Sequence, residues 1–182
     1  MIYRFYDDIV STKASLLVNP VDCMGEFEQT FIKNNPEYLR FLDENPHISK
    51  EILKYIRFCQ KKKRNPYGTV QYVPVDSWAL IMCDTMNNDK LAAYDSKYQY
   101  IVNLFGYKDF SSKEDTFSEK VIRNALLQIK EAATNLGANV AIPNYMFCRN
   151  RKQVDVVNRL INEVFDGSGL GVEVYDVEGN HV

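Results

Sequence analysis

Two short apolar runs in this 182-residue chain each pass through an Asn and reach a Gly. The first is Leu16-Leu17-Val18-Asn19, continued by Pro20-Val21-Asp22-Cys23-Met24-Gly25; the second is Ile101-Val102-Asn103-Leu104-Phe105-Gly106. Each run is too short for a helix and is closed by a polar residue and a turn former, the pattern of a buried strand emptying into a loop. In open α/β sheets ligands bind outside the carboxyl ends of strands. Asn19, Asn103, Gly25 and Gly106 therefore read as corners of a binding site, although each Asn would equally suit a strand-end Asx turn. Asp22 places a carboxylate in the first loop, where it could serve as a general base on water. Tyr107 offers a ring that can stack on a ligand or simply pack. Arg149, Arg151 and Lys152 can hold a phosphate through charge-assisted contacts, or form a solvated loop.

Other candidates carry less chemistry. Lys61-Lys62-Lys63-Arg64 ends a helical stretch just before Asn65-Pro66, where cations favour the helix dipole, and reads as a solvated helix end. Cys23, Cys59, Cys83 and Cys148 are scattered, with only His47 and His181 to help them, which argues against a zinc site and a disulfide framework. No metal and no organic cofactor is expected. Neither a Ser/His/Asp nor a Cys/His constellation can be drawn from these spacings.

The elements that must position these residues alternate. Ile2 to Tyr6, Ser15 to Asn19, Val70 to Val75, Tyr100 to Leu104, Asn139 to Ile142 and Val172 to Val177 read as strands. Trp78 to Cys83 reads as a further strand, in a hairpin with the one before it. Glu26 to Asn34, Pro36 to Asn45, Ile48 to Arg64, Asp115 to Leu136 and Gln153 to Phe165 read as helices, Pro36 standing where a missing N–H costs nothing. Gly137 suits a left-handed cap. Strands separated by helices imply a mixed, mostly parallel sheet covered on both faces, a three-layer α/β/α arrangement. Residues 84–99 are polar and turn-rich, an excursion from the sheet.

With 46% hydrophobic and 25% charged residues the chain can bury a core as one domain spanning 1–182. A net charge of −2 offers no general attraction to nucleic acid. No stretch approaches the roughly 20 apolar residues of a membrane span. The N-terminus does not read as a signal peptide, so a cytoplasmic location is expected.

Several ordered pieces resemble the macro domain, the module that holds ADP-ribose. Asp8-Ile9 resembles the Gly-Asp-Ile corner whose Asp accepts a hydrogen bond from the adenine amino group. Val18-Asn19-Pro20-Val21-Asp22-Cys23 looks like the V-N-x-V-N-C before the first glycine-rich loop. Gly68-Thr69-Val70-Gln71 resembles the G-x-V-Q strand, and Ile101 to Gly106 the I-x-N-L-F-G of bacterial and phage members that process ADP-ribose-1″-phosphate. Gly137 to Pro143 resembles the strand feeding the second glycine-rich loop. The likeness covers nearly the whole chain and implies recognition of ADP-ribose or a related nucleotide. It also implies possible weak hydrolysis of ADP-ribose-1″-phosphate or of ADP-ribosyl links. Asn19 and Asn103 would orient ribose and water, Asp22 would be the base, and Asp8, Ile9, Gly25, Gly106, Tyr107, Pro143, Phe147, Cys148, Arg149 and Arg151 would line the ligand.

The chain departs from that pattern in its loops. Cys23-Met24-Gly25-Glu26-Phe27 keeps one glycine where the family has several. In Ile142-Pro143-Asn144-Tyr145-Met146-Phe147-Cys148-Arg149-Asn150-Arg151 the Ile-Pro and the Cys survive, while every glycine that would line a diphosphate has become a side chain. Either the cations replace backbone amides around a phosphate, or the cleft is occluded. An occluded cleft would leave a catalytically inactive scaffold for a protein or another signalling ligand, as a phage counter-defence or regulatory protein would be.

Overall fold

The computed structural model describes residues 1–86, 97 and 99–176. Within these residues six strands form one sheet: β1 (Ile2–Phe5), β2 (Leu16–Asp22), β3 (Val70–Pro74), β4 (Tyr100–Tyr107), β5 (Val140–Pro143) and β6 (Val172–Tyr175). Their spatial order is β1-β6-β5-β2-β4-β3. All neighbours run parallel except β3, which lies antiparallel on the β4 edge. Every residue of β2 and β4 is buried, as their unbroken apolar runs require of strands covered on both faces.

Among the described residues five α-helices cover the sheet: α1 (Gln29–Asn34), α2 (Pro36–Glu44), α3 (Pro46–Lys61), α4 (Glu119–Leu136) and α5 (Arg151–Phe165). The faces follow from strand alternation. Gln71 of β3 reaches the carbonyl of Glu51 on α3, and the next residue, Tyr72, points to the carbonyl of Gln128 on α4. Helices α3 and α4 therefore cover opposite faces, α2 packing beside α3 and α5 beside α4, giving the three-layer α/β/α fold. Pro36 and Pro46 stand in the first turns of α2 and α3. Gly137 closes α4 with φ 61° and ψ 35°, in the left-handed region that glycine enters without a Cβ clash.

The expected strand over Trp78 to Cys83 is instead a 3-10 turn at Ala79–Met82. Trp78, Ile81 and Met82 are all more than three-quarters exposed there, so their apolar character does not report a sheet face. Most of the expected 84–99 excursion, the end of the last strand at Val177, and His181 lie outside the described residues. No described helix is long and apolar enough to cross a membrane.

Candidate functional site

Where β2, β4 and β5 end, a cleft of about 270 Å³ is lined by Glu28, Gln29 and Thr30 and by Tyr107, Phe110, Phe147, Cys148 and Arg149. A β-bulge shapes its wall. Val21 pairs with Phe105 but Asp22 pairs with Tyr107, so Gly106 is the extra residue on β4. The ring of Phe147 occupies the space this glycine leaves. A Cβ at position 106 would come within 2.3 Å of Phe147 Cε2, far inside van der Waals contact. Phe147 itself has φ 63°, in the left-handed region that costs an L-residue roughly 1–2 kcal/mol. The strain is borne because the ring is 1% exposed and lies nearly parallel to Phe110 and Tyr107, at centroid distances of 6.1 and 6.4 Å. Tyr107 and Phe110 stack at 5.2 Å.

Arg149 closes this stack. Its guanidinium lies 5.3 Å from the centre of the Tyr107 ring, and its two terminal nitrogens donate to the carbonyls of Lys113 (3.0 Å) and Ser112 (2.8 Å). Asn150 caps α5 by accepting from the Gln153 N–H, and the Gln153 side chain accepts from the Arg149 N–H while donating to Asp115. Arg151 turns away toward Asp155 at 3.6 Å, both more than half exposed, and Lys152 is exposed. The three cations expected to act together are therefore apart, and only Arg149 reaches the cleft.

Glu28 is the buried carboxyl of the cleft lining, 6% exposed. Its Oε2 accepts the Phe147 N–H at 2.9 Å. Burial pushes its carboxyl up to about 8 against the pull of that hydrogen bond. Cys148 is 4% exposed, and its thiol is also pushed up, chiefly by burial and then by Glu28 and Asp115. A thiol held neutral in this way is a poor nucleophile and a poor metal ligand.

The two asparagines lie side by side in the sheet, Asn19 in register with Asn103. Both are fully buried, and they form a ladder. Asn19 Nδ2 donates to Asn103 Oδ1 (2.7 Å), Asn103 Nδ2 to Gln71 Oε1 (3.2 Å), and Gln71 Nε2 to the Glu51 carbonyl (3.0 Å). This amide chain ties β2, β4 and β3 to α3, leaving Asn19 Oδ1 buried without a partner. Neither residue lines the cleft.

Asp22 is fully buried and organises the loops. Its Oδ1 accepts from the N–H groups of Met24 and Glu26, and its Oδ2 from that of Phe110, all at 2.9 Å. Gly25 completes that turn at φ 89°. A carboxylate holding three amides fixes the first loop against the Phe110 loop, and it has no open face toward the cleft for a water to be activated. Asp22→Asn exchanges one of those oxygens for a donor, so a stability loss of about 1.5–3 kcal/mol in urea unfolding is expected.

Asp8 makes a separate corner. Its carboxylate accepts from Val10 N (3.0 Å) and Glu37 N (2.9 Å), capping the 3-10 turn at Ile9–Ser11 and the start of α2. Ile9 is buried, and its N–H donates to Asn35 Oδ1, while Asn35 Nδ2 donates to the Tyr145 hydroxyl. Asn35 thus joins the Asp8 corner to the loop after Pro143, the last residue of β5, without bringing Asp8 or Pro143 to the cleft lining. Of the expected site residues, the structure gathers Gly106, Tyr107, Phe147, Cys148 and Arg149. Glu28, Gln29, Thr30 and Phe110 line the cleft without having been singled out in the sequence.

No family model and no curated protein matches the sequence. Solved structures do match the fold. The macrodomain of Mycobacterium tuberculosis DarG aligns with a TM-score of 0.67 at 16% identity, over 96% of this chain and 97% of that one. The macrodomain of Thermus aquaticus DarG gives 0.65 at 15% identity over the same shares. A macrodomain protein from Streptomyces coelicolor gives 0.66 at 18%, over 98% of this chain and all of that one. At such identities the likeness is one of fold: the chain folds as a macrodomain does.

Proposed function

We propose that this chain recognises ADP-ribose or a related nucleotide in the cleft at the ends of β2, β4 and β5, and hydrolyses it very slowly or not at all. One observation carries the binding half: the cleft sits outside the carboxyl ends of the strands and combines stacking rings, a guanidinium and a buried carboxyl, groups suited to a ring- and phosphate-bearing ligand. The fold shared with macrodomains supports it. The non-hydrolytic half rests on Asp22 and the asparagines. Asp22 is committed to three backbone amides, and Asn19 and Asn103 lie in the buried amide ladder away from the cleft lining, so none of the three stands where it could activate water beside a ribose held there.

The volume of about 270 Å³ falls just below the usual ligand-pocket range of roughly 300–1,000 Å³. A whole ADP-ribose therefore enters only when the Phe147 ring leaves the hollow over Gly106. The same ring favours a second reading, an inactive scaffold whose cleft stays shut and whose partner is a protein. Calorimetry distinguishes them: ADP-ribose is expected to bind at one saturable site, and ADP-ribose-1″-phosphate to release no phosphate above a protein-free control. Absence of heat at millimolar ligand favours the scaffold, and robust phosphate release overturns the non-hydrolytic half.

A further inference from the structure

We propose that Glu28 is the specificity-determining residue of this cleft, meeting a bound nucleotide as an uncharged carboxyl whose O–H donates to a phosphate oxygen. The inference rests on the nucleotide reading above. The geometry assigns the two oxygens different tasks. Oε2 accepts the Phe147 N–H at 2.9 Å and so acts as the carbonyl-type oxygen. Oε1 has no hydrogen bond among the described residues, yet Glu28 lines the cleft, so this oxygen is the one left for a ligand.

The surroundings determine its charge. Among the described residues no cation pairs with Glu28, because the guanidinium of Arg149 is turned onto the Ser112 and Lys113 carbonyls. The groups that face it from the loop after β5, the Tyr145 phenol and the Cys148 thiol, are both pushed up by burial and stay neutral. The Tyr107 hydroxyl, on another lining residue, is held between Asp115 and the Glu114 carbonyl. Burial works to raise the Asp115 carboxyl, but its hydrogen bonds from the Phe117 N–H, Gln153 and Tyr107 outweigh it and hold it lowered, as a carboxylate. A buried carboxyl without a cation is neutral near pH 7, in keeping with its rise to about 8. Neutral, it donates to a phosphate oxygen; ionised, it would lose the donor and repel the same phosphate at hydrogen-bond distance.

ADP-ribose has no group that titrates between pH 6.5 and 9, so a change of its affinity in that window belongs to the protein. The parent protein should bind ADP-ribose about tenfold more weakly at pH 9 than at pH 6.5, the fraction of a carboxyl at about 8 still protonated falling by that factor. Adenosine, which carries no phosphate, should show no such fall. Glu28→Gln keeps a neutral donor and should bind ADP-ribose equally well at both pH values. Binding of ADP-ribose with a flat pH profile in the parent, or an equal fall for adenosine, overturns the role of Glu28 and leaves the nucleotide reading standing. No ADP-ribose binding at pH 6.5 overturns both. The two parent profiles decide the matter even if Glu28→Gln folds poorly.

Discussion

Between pH 5 and pH 9 the protein is expected to lose up to about 4 kcal/mol of folding stability through Glu28 alone, and Glu28→Gln is expected to abolish that loss. The carboxyl moves from an ordinary 4.5 to about 8 on folding, and each unit is about 1.4 kcal/mol. Between those two values the folded chain keeps a proton that the unfolded chain has released, so rising pH favours unfolding. The contribution is fully present below 4.5 and gone above about 8. The glutamine introduced by Glu28→Gln would still offer the Phe147 N–H an oxygen and would bear no charge at any of these pH values. Unfolded thiols titrate near 9.0, so Cys23, Cys59, Cys83 and Cys148, all raised by burial in the fold, add a further fall of stability toward pH 9 that parent and variant share. Urea midpoints at pH 5, 7 and 9 should therefore fall for the parent and stay level for the variant once other titrations are subtracted as the shared trend. Parallel profiles would show that the carboxyl is solvated in the folded state.

The second large effect concerns Phe147. Its ring is buried against Phe110, Tyr107 and Gly106, so Phe147→Ala should cost about 3–5 kcal/mol, as truncation of a buried aromatic does. Glycine should do better than alanine here by about 1 kcal/mol, because at φ 63° any residue with a Cβ keeps the left-handed strain. That order reverses what is usual in regular structure and is read directly from chemical unfolding. Removing the ring also clears the hollow, so both variants should bind ADP-ribose at least tenfold more tightly than the parent, a gain of about 1.4 kcal/mol. Alanine equal to or better than glycine would contradict the backbone reading, and unchanged affinity would contradict the ring as the obstacle.

Much of the scaffold was legible because local signals agreed with the fold. The closed apolar runs at Leu16 and Ile101 became the two central strands, and the helical spacing to Leu136 and Gly137 gave α4 and its C-terminal cap, although the helix begins at Glu119 behind a Ser118 cap and not at Asp115. Trp78 to Cys83 misled because a short apolar run looks the same whether its side chains face a core or solvent, and these three large ones face solvent. In the site, loss of the loop glycines was visible, but its consequence depended on distant partners. The Phe147 ring finds its place against the bulge at Gly106, and Glu28 meets its buried partner in an amide 119 positions away. The Asn19–Asn103–Gln71 ladder is likewise a product of strand register; no spacing in the sequence announces that amides 32 and 84 positions apart will hydrogen-bond.

The most direct test of the account is an amide-resolved nuclear magnetic resonance titration of the parent protein with ADP-ribose at pH 6.5. The cleft reading predicts saturable shifts at Glu28, Thr30, Tyr107, Phe110, Phe147 and Cys148, with the Phe147 N–H moving most as its ring leaves Gly106 and its bond to Glu28 is remade. Shifts confined to other surfaces, or none at millimolar ADP-ribose, would contradict it.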